Sequence, residues 1–210
     1  MPFSNSFKIP ATLAIAIAFY IAFFARFDTF VFYGIPLLGG VMAAVVLGRL
    51  DPRRTTSDHL TDALRVYWGL HLIWSCYRYW FTDGQPVVPH PIAGPFIQSL
   101  SDMGMFPGIK TLEGFIGIML LVNRYVPLAL VLEVPTSVMI FYVNFVIVRE
   151  PRQLLTGPLE IGVNAALLLA YFRYYRPFLV ARAYAAPPKV LGPSVLDSAD
   201  DRNPAASSSL

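Results

Sequence analysis

Cysteine, histidine and charged residues are all scarce in this chain of 210 residues. It contains one cysteine, Cys76, three histidines and only 14% charged residues, whereas 56% of its residues are hydrophobic. A single cysteine excludes an intrachain disulfide framework and any multi-cysteine cluster. So little charge in so apolar a chain excludes an ordinary water-soluble domain.

The common signatures of soluble catalysis are also missing. The sequence has no Gly-rich phosphate loop, no Gly-x-Ser-x-Gly, no His-Glu-x-x-His and no close cluster of Cys or His. Its basic residues lie mostly singly at the ends of apolar runs, which disfavours a nucleic-acid partner. We therefore expect no metal site and no nucleic-acid binding, and we do not expect the chain to be catalytic alone.

Apolar runs make up most of the sequence. Each is close to the ~20 residues that a helix needs to cross a hydrocarbon core ~30 Å thick. The period-2 alternation of a membrane barrel is missing. These features predict an all-α fold, a polytopic transmembrane bundle of about six helices, with runs at residues 11–25, 29–48, 63–81, 106–122, 125–148 and 157–175.

Polar segments divide these runs into domains. We predict a transmembrane hairpin at 1–48, a cytoplasmic linker at 49–61, a four-helix membrane domain at 62–180 and a disordered tail at 185–210. Four prolines between residues 82 and 105 predict an ordered cap or re-entrant stretch rather than a helix. The first run is either a membrane anchor or a cleaved signal peptide.

The distribution of lysine and arginine predicts the orientation. With the N-terminus inside, five of the 16 basic residues fall outside and eleven inside, and the excess favours two cytoplasmic termini. We therefore expect a multi-pass protein of the cell (inner) membrane. The five outside residues are Arg26, Arg78, Lys110, Arg149 and Arg152.

Ionisable and amide side chains within apolar runs are the candidate functional residues, because a charge at membrane depth is costly and rarely kept without a role. We expect them to meet between helices and to bind a ligand or handle protons. The structural alternative is that Glu113 and Glu160 reach the lipid headgroups or pair with Lys110 and Arg152 respectively, and that the amides only join helices. The candidates are His71, Arg78, Glu113, Glu133, Asn144, Glu160 and Asn164.

Several segments carry a resemblance to a known family. These are LRVYWG at residues 64–69, EGFIGIMLL at 113–121, NRYVPLAL at 123–130 and VP at 134–135. In order and spacing they resemble the DoxX-like family of small four-helix membrane proteins, over residues 64–177. Two features depart from the family pattern: no histidine lies near Asn144, which puts a haem or metal role in doubt, and the N-terminal hairpin is an addition.

The resemblance implies a bacterial membrane subunit associated with oxidoreductases, whose archetype is linked to thiosulfate:quinone oxidation. A pocket of acidic, basic and aromatic side chains would suit a quinone head group. No cofactor is firmly implied, and a quinone is the one candidate. The partners expected are the lipid bilayer and other membrane or redox subunits. The alternatives are a non-catalytic assembly or interaction protein and a carrier of a small lipophile or ion.

Overall fold

The structure is a computed structural model that describes residues 10–17, 30–51 and 53–179. Within these ranges the regular elements are helical and no strand occurs, which confirms the all-α class. The predicted turn of the N-terminal hairpin and the predicted disordered tail lie outside the described residues.

Six helices of ten or more residues form the described part of the chain. Residues 10–17 are also helical, and a short helix, Phe172–Tyr175, is followed by a 3-10 turn at Arg176–Phe178. A π-helical segment, Phe30–Gly34, leads into α1, and another, Tyr142–Val148, extends α5. The six helices are α1 (Ile35–Leu50), α2 (Thr56–Phe81), α3 (Ala93–Asp102), α4 (Met105–Leu121), α5 (Val126–Phe141) and α6 (Pro151–Ala170).

Three of these segments are long and apolar enough to cross a membrane. They are Phe30–Leu50, Val126–Val148 and Pro151–Ala170, and a fourth span results if the bent pair α3 and α4, which meet at 83°, counts as one. The longest helix, α2, has 26 residues but carries too many polar side chains to qualify by composition. The structure thus supports three or four spans, and six remains a prediction.

The helices differ from the apolar pattern at two places, the start of α2 and the presence of α3. Thr55 and Asp58 form a capping box, so α2 begins at Thr56 and takes up much of the linker predicted at 49–61. The prediction that residues 82–105 lack a helix is wrong, because Ala93–Asp102 is helical. Pro95 lies in its first turn, where the missing N–H costs no helical hydrogen bond.

Helix α2 lies between α1 and α4, while α5 packs on α6. A Cβ at Gly117 would lie 2.7 Å from the Gly69 carbonyl oxygen, so α2 and α4 approach closely only because glycine occupies position 117. Helix α2 also contacts α6. Its apolar face joins the main core, which includes Tyr67, Trp68, Leu72, Ile116, Leu120, Val126, Ala129, Leu130, Val163 and Leu167.

Candidate functional site

A buried histidine and a buried glutamate form the centre of the site. His71 is 2% exposed and Glu160 is 4% exposed, and the His71 Nε2 atom lies 3.0 Å from Glu160 Oε1. On the opposite side of the imidazole, Nδ1 lies 3.1 Å from the Phe32 carbonyl oxygen. The Tyr33 hydroxyl donates a longer hydrogen bond, 3.4 Å, to the same Glu160 oxygen.

The contact with Phe32 fixes the chemistry of the pair. A carbonyl oxygen only accepts hydrogen bonds, so Nδ1 must carry a proton. The hydrogen bond between Nε2 and Glu160 Oε1 then needs one more proton, held by either atom. The pair is electrically neutral in both cases, as a neutral imidazole with a carboxylic acid or as an imidazolium with a carboxylate.

Aromatic rings enclose this histidine. The Trp68 ring stacks on the imidazole at 5.1 Å between centroids and the Tyr33 ring at 5.0 Å, while the Phe32 ring meets it edge-on at 4.7 Å. Such packing excludes water and fixes the ring plane. The acid–base pair is therefore held in one geometry inside the bundle.

A second polar group lies on α4. The Lys110 ammonium donates to both carboxylate oxygens of Glu113, each at 2.8 Å, and to the Ser75 hydroxyl at 2.9 Å. It also lies 5.4 Å from the centre of the Phe106 ring, a cation–π distance. Glu113 is 2% exposed, so its charge is neutralised within the protein rather than by water.

The Lys110–Glu113 pair opens onto a cavity of about 210 Å³ between α3, α4 and α5. Most of its lining is apolar, including Phe106, Ile140 and Val143. Its polar groups are Lys110, Glu113, Thr136, Asn144 and Gln153. An apolar cavity with a few convergent polar groups is typical of a small-ligand site.

Glu133 differs from the other buried acids. It is fully buried, and neither carboxyl oxygen has a hydrogen-bond partner in the described part of the chain. The hydroxyl of Ser137, one helical turn further along α5, interacts with the same carboxyl but also lacks a well-formed hydrogen bond there. The carboxyls of Glu113 and Glu160 interact electrostatically with Glu133.

The other predicted residues lie around this centre. Asn164 donates to the Leu130 carbonyl oxygen at 3.4 Å. Asn144 donates to the Thr156 hydroxyl at 3.4 Å and lines the cavity. Arg78 forms an ion pair with Asp83 and lies over the Phe32 ring at 5.5 Å, so it joins the site only through Phe32.

Glu113 and Glu160 therefore lie within electrostatic range of both His71 and Glu133. Lys110 pairs with Glu113 as the structural alternative has it, whereas the described partner of Glu160 is His71 and not Arg152.

Sequence reasoning missed several polar residues. Tyr33 and Gln153 gave no signal, because their roles depend on tertiary contacts. Asp62 and Arg65 were readable, since their spacing places an acid and a base on one helix face. Arg65 is 3% exposed, pairs with Asp62 at 3.0 Å and donates to the Leu120 carbonyl, near a polar pocket of about 690 Å³ that Arg54 and Asp62 help to line.

Within the described residues, the protein is all-helical, three or four of its helices are suited to a membrane, and paired acids and bases are buried between its helices. Comparisons with protein-family models, with curated proteins and with solved structures found no match. The resemblance to the DoxX-like family therefore stays a prediction.

Proposed function

We propose that this chain is a DoxX-like integral membrane protein that binds a quinone head group and anchors a redox complex in the bacterial inner membrane. In this arrangement α2 is a central span, the run at 11–25 completes a set of six, and both termini are cytoplasmic. The acidic and basic side chains in the bundle are then ligand-binding and proton-handling groups.

The observation that carries the proposal is the cavity beside Lys110 and Glu113. At about 210 Å³ it is smaller than the ~300–1,000 Å³ typical of drug-sized ligands, so it suits one substituted ring rather than a whole lipid. Its apolar walls suit the ring faces. An isoprenoid tail would leave between α3 and α5 toward lipid.

The polar lining matches the two ends of a quinone. A quinone carbonyl accepts a hydrogen bond, which Lys110 can donate in place of its bond to Ser75. The buried Gln153 amide oxygen has no hydrogen-bond partner in the described chain, and it can accept from the hydroxyl of a reduced quinone. The two electrons of the reduction would come from a redox partner subunit and the two protons from solvent, with the Glu113 carboxylate as the group that relays them to the quinone.

The test is to purify the full chain from its own membranes in mild detergent and to quantify quinone in the extracted lipids. We expect near-stoichiometric quinone with the unaltered chain and at least ~10-fold less with Glu113→Gln. The matched control is Glu150→Gln, since Glu150 is an exposed acid at the N-terminus of α6.

Equal quinone content in the unaltered chain and in Glu113→Gln would overturn the binding site. Recovery of a stoichiometric protein partner without quinone, held equally by both variants, would instead support the assembly or interaction protein.

A further inference from the structure

We propose a binding site for a monovalent metal cation of the sodium class at Glu133, between α5 and α6. The site is separate from the quinone cavity, whose lining does not include Glu133. Its ligands would be the carboxylate of Glu133, the hydroxyl of Ser137 and the amide oxygen of Asn164.

Burial and hydrogen bonding set these three side chains apart. Glu133 is 0% exposed, Ser137 is 1% and Asn164 is 2%. Within the described chain, no well-formed hydrogen bond reaches the Glu133 oxygens, the Ser137 hydroxyl or the Asn164 amide oxygen, and the one interaction among them is that of the Ser137 hydroxyl with the Glu133 carboxyl. Unsatisfied buried polar atoms are rare because each costs free energy, and a group of them needs an explanation such as an ion.

The helices bring the three side chains to one level. Glu133 and Ser137 lie one turn apart on α5 and so share a face. Asn164 on α6 donates its amide NH₂ to the Leu130 carbonyl oxygen, which lies in the turn just before Glu133. That bond leaves the amide oxygen of Asn164 free at the same turn.

Charge balance identifies the occupant. Four carboxyl groups are buried in the described chain, and three of them have cationic or imidazole partners: Asp62 with Arg54 and Arg65, Glu113 with Lys110, and Glu160 with His71. Glu133 has no such partner, so its ionised form needs one positive charge beside it. Oxygen donors are the ligands that hard cations prefer, and one carboxylate balances a single positive charge.

The experiment measures thermal unfolding of the detergent-purified full chain by circular dichroism, in sodium chloride and in choline chloride at equal ionic strength. At a hundred-fold excess of sodium over Kd we expect the unfolding temperature to be higher in sodium by roughly 5 °C. Glu133→Gln should remove the difference in unfolding temperature between the two salts while keeping the fold. Ser137→Ala, which loses one ligand, should need about ten-fold more sodium for half of the rise in unfolding temperature. Glu150→Gln, which changes an exposed acid, is the matched control and should respond like the unaltered chain.

Equal unfolding temperatures in the two salts would overturn the cation site and leave Glu133 as a protonated acid. A sodium effect that persists in Glu133→Gln would also overturn it. Neither result depends on quinone content, so this proposal and the quinone proposal can fail separately.

Discussion

Replacing Glu160 tests the protonation argument made for His71. Because Nδ1 must donate to the Phe32 carbonyl, the neutral imidazole offers Nε2 as an acceptor toward Glu160. In Glu160→Gln the amide NH₂ can donate to that atom, so the hydrogen bond survives. In Glu160→Ala the imidazole and the Tyr33 hydroxyl both lose their partner.

The expected magnitudes follow from burial. Removing one partner of a buried pair costs about 3–5 kcal/mol, and at 4% exposure Glu160 qualifies as buried. We therefore expect Glu160→Ala to lower the free energy of unfolding by about 3–5 kcal/mol. Glu160→Gln should cost ~1 kcal/mol or less, and Tyr33→Phe, which loses only the 3.4 Å bond, about 0.5–1 kcal/mol.

The assay is equilibrium unfolding in mixed detergent micelles, with circular dichroism as the readout. The control is Glu150→Gln, which changes an exposed acid. If Glu160→Gln proves as damaging as Glu160→Ala, the glutamine amide does not donate to Nε2 and the assignment of a proton to Nδ1 fails. If neither variant loses stability, the pair contributes nothing to the bundle.

Three further predictions concern other contacts. Lys110→Met should lower the free energy of unfolding by ~3 kcal/mol, because it leaves Glu113 buried without its cation. Adding Glu113→Gln to that variant should restore part of the lost stability. Simple additivity of the two changes in a double-mutant cycle would refute the pairing. Gly117→Ala should lower the free energy of unfolding by about 1–3 kcal/mol because the added Cβ meets the Gly69 carbonyl oxygen. Gly108→Ala, on the same helix but facing open space, should be neutral or stabilising. Equal unfolding midpoints for the two variants would contradict the close approach of α2 and α4. Hydrogen bonds from the Thr55 backbone N–H and hydroxyl lower the pKa of Asp58, which precedes the apolar part of α2. The stability that this acid contributes should therefore be present above pH ~4 and disappear as pH falls further. Thr55→Ala keeps the backbone N–H, so it should make that acid-dependent loss smaller without removing it.

Hydrophobic patterning was enough to predict the helices that coincide with long apolar runs. The run at 106–122 matches α4 within a residue, and the run at 125–148 matches α5 with its π-helical extension. It was not enough for α3, whose ten residues lie among prolines and bury only Ala93, Ile97 and Leu100. A short amphipathic helix gives a weak signal beside such strong breakers.

The sequence predicted which residues belong to the candidate site better than it predicted which of them pair with each other. Depth in an apolar run depends on the local sequence alone, and it identified three of the four acids that are buried in the described chain while missing Asp62. The pairing of His71 with Glu160 depends on how α2 and α6 pack, and Tyr33 enters through the segment before α1. Pair partners that lie far apart in the chain are set by tertiary packing, which periodicity does not encode.

The most direct test of the central claim is photoaffinity labelling of the detergent-purified full chain with an azido-quinone, followed by peptide mass spectrometry. The account predicts labels on the cavity lining of α4 and α5, around Ile109 and Met139, which excess unlabelled quinone removes and Glu113→Gln weakens. Labels spread over the lipid-facing surface, or labels that unlabelled quinone does not displace, would contradict it.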